Sequence, residues 1–287
     1  MTALPSPNEV AMQAEVELGD DLEHRSPSPA FGKRHRRLLL AFARLAIIAA
    51  ILFVWWLAGE LGMLNPLTFP TLQETITQLV NVVMDGSIFY HSWFTFQAAA
   101  IGFVIGMGAG TILGFIIGLS PLLTDLLQPF ISVFNTMPRI AIAPIYVLWF
   151  GIGVPAGVAL VVSVVIFTAL LSVISGTQSV DRNYITIVRL YGASRYDIIR
   201  KVVLPATIPW IITAGRLSLA NALAGAIISE MFLGQRGLGY LIGSASGSFN
   251  MGVVFAAILG SLGMAVIFDR LGTLAEDRLL RWRPTLR

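Results

Sequence analysis

The sequence predicts an all-α membrane protein with six transmembrane helices, and three observations predict it. Of the 287 residues, 56% are hydrophobic and only 12% charged, with a mean hydropathy of +0.78, where soluble domains carry roughly 25% charge. Six windows, at 39–62, 92–119, 130–151, 156–176, 208–231 and 251–269, meet or approach the about 20 apolar residues that a spanning helix needs. The alternating segments of a β-barrel are absent, and an open sheet in lipid would leave its edge N–H and C=O groups unpaired.

Charge placement orients these spans. The leader holds Arg25, Lys33, Arg34, Arg36, Arg37 and Arg44, the interior segment 181–209 holds Arg182, Arg189, Arg195, Arg200 and Lys201, and the tail holds Arg270, Arg278, Arg281, Arg283 and Arg287. With six spans all three regions fall on one side, which the excess of Lys and Arg makes the cytoplasm. The expectation is a multi-pass plasma (inner) membrane protein with both termini cytoplasmic. The net charge of +3 tempts a nucleic-acid reading, but its distribution argues against nucleic acid as a partner. Cysteine is absent and His24, His35 and His91 are scattered, so neither a metal nor a cofactor is expected.

Residues 1–37 carry Pro5, Pro7, Pro27 and Pro29 around an acidic run from Glu9 to Glu23 and are expected to form a disordered cytoplasmic tail. The stretch after it is too long for the apolar part of a cleaved signal peptide and is expected to stay as an anchor, opening a transmembrane domain over 38–270. Thr71-Leu72-Gln73-Glu74 has capping-box spacing, and Leu72, Ile76, Leu79, Val80 and Val83 form an apolar stripe, predicting a short outer-surface helix over 71–85 that packs on the bundle or serves binding.

The second span repeats glycine at 102, 106, 110, 114 and 118, a flat groove for close approach of another helix. The third is interrupted by Pro129, Pro138 and Pro144, breaks that are tolerated where protein or a watery cavity satisfies the freed carbonyls. Beside Pro138 stands Arg139. It either lines a pathway for anions, or snorkels to the cytoplasmic edge, or clamps Asp125. In the fifth span, Arg216 and Glu230 are too far apart to pair, and each is expected to cap its own end.

From Gly86 to Val180 and from Trp210 to Phe268 only Asp125, Arg139, Arg216, Glu230 and Arg236 are charged, yet Asp181 to Pro209 carries seven charges. A first short helix with Ile185, Ile187 and Val188 on one side, a turn at Gly192, and a second helix capped by Ser194 with Ile198, Ile199, Val202 and Val203 apolar are predicted, the second closed by Pro205 and Pro209. Held between rigid spans, the second helix is suited to enter a groove on a soluble partner or to rest on lipid headgroups. The basic tail 271–287 follows the last span.

Gly192, nine residues, Val202, one residue and Leu204-Pro205 resemble the cytoplasmic signature of permeases of ABC importers, with Thr186-Ile187-Val188 where the family has Glu-Ala-Ala. Leu190-Tyr191-Gly192-Ala193-Ser194-Arg195, the Pro-Arg-Ile-Ala-Ile-Ala-Pro run at 138–144, Trp149-Phe150-Gly151-Ile152-Gly153, Gly237-Leu238-Gly239-Tyr240-Leu241-Ile242 and Arg281-Trp282 extend the resemblance, over about 39–284, to the branch importing nitrate, sulfonates and taurine. It implies a type I ABC importer permease-like bundle with a cytoplasmic coupling helix. The implied partners are a second permease copy forming a homodimer, two ATP-binding cassette subunits, an extracytoplasmic substrate-binding protein and membrane lipid. It also implies that Arg189, Tyr191, Gly192, Ala193, Ser194, Arg195 and Tyr196 meet the ATPase groove, and that Leu204 and Pro205 anchor the loop's return. ATP hydrolysis is expected elsewhere, since the chain has no Walker A motif.

Two other classes compete. A self-contained secondary transporter or channel would be equally apolar, but it would show internal duplication and paired ionisable groups at mid-membrane. An intramembrane serine protease is suggested by Gly243-Ser244-Ala245-Ser246-Gly247, but alanine stands at the nucleophile position and only His91 offers a base; the string is expected to form a flexible outer loop.

Overall fold

In the computed structural model, residues 31–65 and 67–281 are described, and all regular structure among them is helical. The expected disorder of 1–37 lies outside them up to residue 30, as does Trp282. The chain divides into two compact units, one ending at Leu57 and one beginning at Ala58. The first holds most of α1 (Phe31–Glu60), an uninterrupted apolar helix long enough to cross a bilayer.

The second unit opens with α2 (Leu72–Met84), where the Thr71 hydroxyl accepts from Glu74 N at 3.2 Å as the capping spacing requires. Its apolar stripe is split. Thr75 and Val82 are buried, whereas Ile76, Val80 and Val83 point outward, because the face against α11 (Met251–Leu279) and α3 (Ser87–Gly118) is centred on Thr75, Leu79 and Val82.

At the centre lies α6 (Val154–Gln178), packed on one side by α3 and on the other by α9 (Leu204–Leu233). The glycine ladder of α3 sets the first contact residue by residue. A Cβ built on Gly102 would lie 2.5 Å from Val161, one on Gly106 2.8 Å from Val165, and one on Gly114 2.7 Å from Val173; Gly110 and Gly118 meet Ala169 and Thr177 in the same register. The two helices therefore run parallel, as the second and fourth spans of a six-span chain must. Against α9 the order reverses: Gly157 faces Ser229, Gly225 faces Val161, and Gly176 faces Thr207 and Trp210. Ala98, Ala99, Val161, Val165, Ala222, Ala226 and Phe268 fill the shared core.

The third predicted span is not one helix. α4 (Pro121–Thr136) runs through Pro129 and stops before Pro138; after a 3-10 turn (Arg139–Ile142), α5 (Ala143–Phe150) continues at 82° to it. Pro138 disfavours helix at Met137, which is extended at φ −64°, ψ 130°. Among the described residues five helices are long and apolar enough to cross a membrane, or six if the bent pair is one span.

The segment 181–209 also departs from expectation. α7 (Arg182–Leu190) and α8 (Arg195–Ile198) form around the predicted bend, but Pro205 and Pro209 do not close the second helix. A π-helical turn, Ile199–Val203, leads straight into α9, with Leu204 N–H bonded to Ile199 O and Pro205 directly after it. The string 243–247, expected as a loop, lies within α10 (Leu238–Gly247). The last helix runs to Leu279.

Candidate functional site

Three places in the second unit gather chemistry. The first is the loop joining α6 to α9. Asp181 caps α7 through Asn183 N at 2.8 Å, and Ser194 caps α8 through Asp197 N at 3.1 Å, each cap contributing about 1 kcal/mol. Gly192 between them has φ +85°, with open space where a side chain would stand. Lys201 pairs with Asp197 at 2.7 Å across one helical turn. Ile198 and Val203 are buried and turn the apolar face inward, while Leu190 and Tyr191 at the bend are 82% and 89% exposed. Arg189, Ser194, Arg195 and Tyr196 are likewise exposed, Ala193 is half-buried, and Leu204 and Pro205 stand where the loop re-enters the bundle. An apolar patch with a rim of cations is thus presented outward on a bend fixed by two caps.

The second place is a groove of about 910 Å³ between α3, α6 and the broken span. Its wall is apolar except for Arg139, Tyr146 and Ser163. Arg139 opens the 3-10 turn. Its Nη2 donates to Phe134 O at 2.5 Å, and its guanidinium lies 4.4 Å from the centre of the Phe167 ring. No ion pair joins it to Asp125 among the described residues, so the clamp considered from sequence does not form; the pairs there are Lys201–Asp197, Arg216–Asp269 and Arg216–Glu276.

Sequence reasoning missed the third place. Arg216 and Glu230 do not cap their own helix ends. Arg216 bridges to Glu276 at 2.8 Å and Asp269 at 3.7 Å on α11, tying α9 to the last span. Glu230 is buried and serves the following helix: its Oε2 accepts from Gly239 N at 3.1 Å and from the Thr95 hydroxyl at 2.7 Å. Thr95 Oγ1 in turn accepts from Leu238 N at 2.8 Å, and His91 Nδ1 accepts from Gly237 N at 3.1 Å. The N–H groups of Gly237, at the N-cap, and of Leu238 and Gly239, the first two residues of α10, which has no side-chain cap of its own, are each satisfied from α3 or α9. A carboxylate suits that position because the helix dipole is positive there. Gly237, at φ +107°, leaves no room for a Cβ beside the Glu230 carboxyl. The signal was the lone acid seven residues before Gly237-Leu238-Gly239. His91, weighed as a protease base, is a structural acceptor that also stacks on Tyr240.

The family described as binding-protein-dependent transport system inner membrane component matches residues 106–281. The taurine transport system permease protein TauC of Escherichia coli is 28% identical over 253 residues, 86% of this chain and 90% of that protein. The nitrate import permease protein NrtB of Leptolyngbya laminosa is 28% identical over 243 residues, 82% of this chain and 86% of that protein. Among solved structures, a chain of the inward-facing MetNI methionine ABC transporter covers 68% of this chain and 93% of its own length, with TM-score 0.53 and 22% identity; that likeness is one of fold.

Proposed function

Because the chain belongs to the family of binding-protein-dependent transport system inner membrane components, we propose that the bend at Gly192 is where its motor acts. The protein is the permease subunit of an ATP-driven ABC importer, working with ATPase and binding-protein partners. It moves a small organic or inorganic anion such as a sulfonate, taurine or nitrate into the cytoplasm. Two ATP-binding cassette subunits, a second copy of this chain and one extracytoplasmic binding protein complete the assembly; both termini and residues 181–209 face the cytoplasm.

One observation carries the coupling role. The most exposed large apolar side chains of the 181–209 segment, Leu190 and Tyr191, sit on a turn whose left-handed Gly192 and two capped flanks fix its form, while the buried side of α8 and the π turn is continuous with α9. Closure of the ATPases would push on Tyr191 and Tyr196, and a stiff connection would pass the push to α9 and, through its packing, to α6. Thr186-Ile187-Val188 supplies no carboxylate at the signature's glutamate position, so the contact rests on the bend. The chain itself would not hydrolyse ATP.

Reconstitution tests the reading. With ATP inside vesicles and the binding protein outside, uptake of taurine or nitrate is expected only when the ATPase subunits are present. Solute flux by the chain alone would overturn it in favour of a self-contained transporter.

A further inference from the structure

Arg139 lies level with the middle of α6. Its stacking partner Phe167 lies well inside α6, with the stretches Val154–Phe167 and Phe167–Gln178 each about 17–20 Å long at about 1.5 Å per residue. A side chain at that depth cannot reach an interface by snorkelling, and a cation there is costly unless something answers it. What answers it is meagre. The guanidinium carries five N–H donors; among the described residues its one hydrogen-bond acceptor is Phe134 O, and no carboxylate pairs with it. The rest of the wall is aromatic and aliphatic, with Tyr146 and Ser163 the other residues of the groove that carry a hydroxyl.

The backbone is shaped around this residue. Met137 and Pro138 are extended, the span turns by 82°, and Arg139 begins the 3-10 turn that follows. Irregular backbone at membrane depth belongs where it lines a cavity, and the groove of about 910 Å³ is that cavity. Resting on the reading that the imported solute is an anion, we infer that Arg139 is a specificity-determining residue of the translocation step: its free N–H groups take the oxygens of a sulfonate or nitrate as the solute crosses. A planar fork of donors matches two oxygens of either group at once. The Phe167 ring holds the fork from behind without neutralising it, and the low-dielectric apolar wall on that side strengthens the charge–charge attraction.

The test uses the whole assembly in vesicles with the binding protein saturated, so that initial uptake reads the membrane step, and ethanesulfonate, taurine and nitrate are the probes. R139K, which keeps charge but loses the fork, is expected to slow ethanesulfonate uptake about tenfold, and R139M about a hundredfold, in assemblies that still co-elute with the ATPase subunits. F167L, which removes the ring and keeps the guanidinium, should lose less than R139M. Uptake by R139M within twofold of wild type overturns the inference, as does equal loss in R139K and R139M, or a loss in F167L as deep as in R139M. If R139M fails to co-elute, R139K decides, and uptake within twofold of wild type overturns it. A wild-type assembly that imports none of the three probes removes the anion reading and this inference with it; one that imports them while R139M does so equally well removes the inference alone.

Discussion

Glu230 and Thr95 hold the start of α10 by burying a carboxylate and a hydroxyl against backbone N–H groups. Removing either leaves buried donors unmet, a loss of about 1–3 kcal/mol. Glu230→Ala and Thr95→Val should therefore each lower the unfolding temperature of the purified protein, and Ser244→Ala, an exposed change on the same helix, should not. Asp85 gives a pH dependence. Hydrogen bonds from the Ser87 backbone N–H and then its hydroxyl lower its pKa from 3.8, so the charged carboxylate contributes fully above that ordinary value and the contribution is lost as pH falls through the lowered one. Amide exchange at Ser87 should be flat from pH 8 to about 5, after correction for the intrinsic rate, and should rise only in stronger acid. The residue scale is also where the sequence was least legible. Glu230 and Arg216 read as helix-end charges because spacing within one helix excludes a pair, but says nothing about α10 or α11, which supply their partners.

Between helices, the tightest contact is the parallel packing of α3 on α6, and it discriminates sharply among glycines. A Cβ at Gly110 would press on Ile166 O and Ala169, whereas one at Gly108 would meet nothing within 4 Å. Gly110→Val should abolish stable insertion or folding, measured as recovery of monodisperse protein, while Gly108→Val should be recovered as wild type. This ladder was legible because a four-residue repeat specifies one face of a helix without reference to a partner. The bend was legible for the same reason: the Ser194 cap and the turn at Gly192 are local, whereas the Asp181 cap was found only in the structure. The end of α8 was not. Proline signals a break only when its missing N–H and its ring disturb an α ladder, and the π turn at Ile199–Val203 opens the ladder just before Pro205. Conversely, one proline did break the third span, because the Pro138 ring disfavours helix at the residue before it, Met137, which is extended.

For the whole molecule, five apolar helices of spanning length, a bent pair and one exposed bend at Gly192 among the described residues make up the permease subunit of an ABC importer. Gly192→Leu separates the bend from mere stability: space is open there, so the cost is the left-handed backbone alone, about 1–2 kcal/mol. Assembled transporters carrying it should hydrolyse ATP with taurine uptake reduced at least tenfold per ATP. The absence of cysteine makes the decisive measurement clean. With Tyr191→Cys as the sole thiol of the chain, a short thiol–amine crosslinker added to the assembled transporter should join it to a nucleotide-binding subunit, and Met84→Cys on the opposite side should give no such product. A crosslink from Met84 with none from Tyr191 would contradict the coupling role and the orientation together.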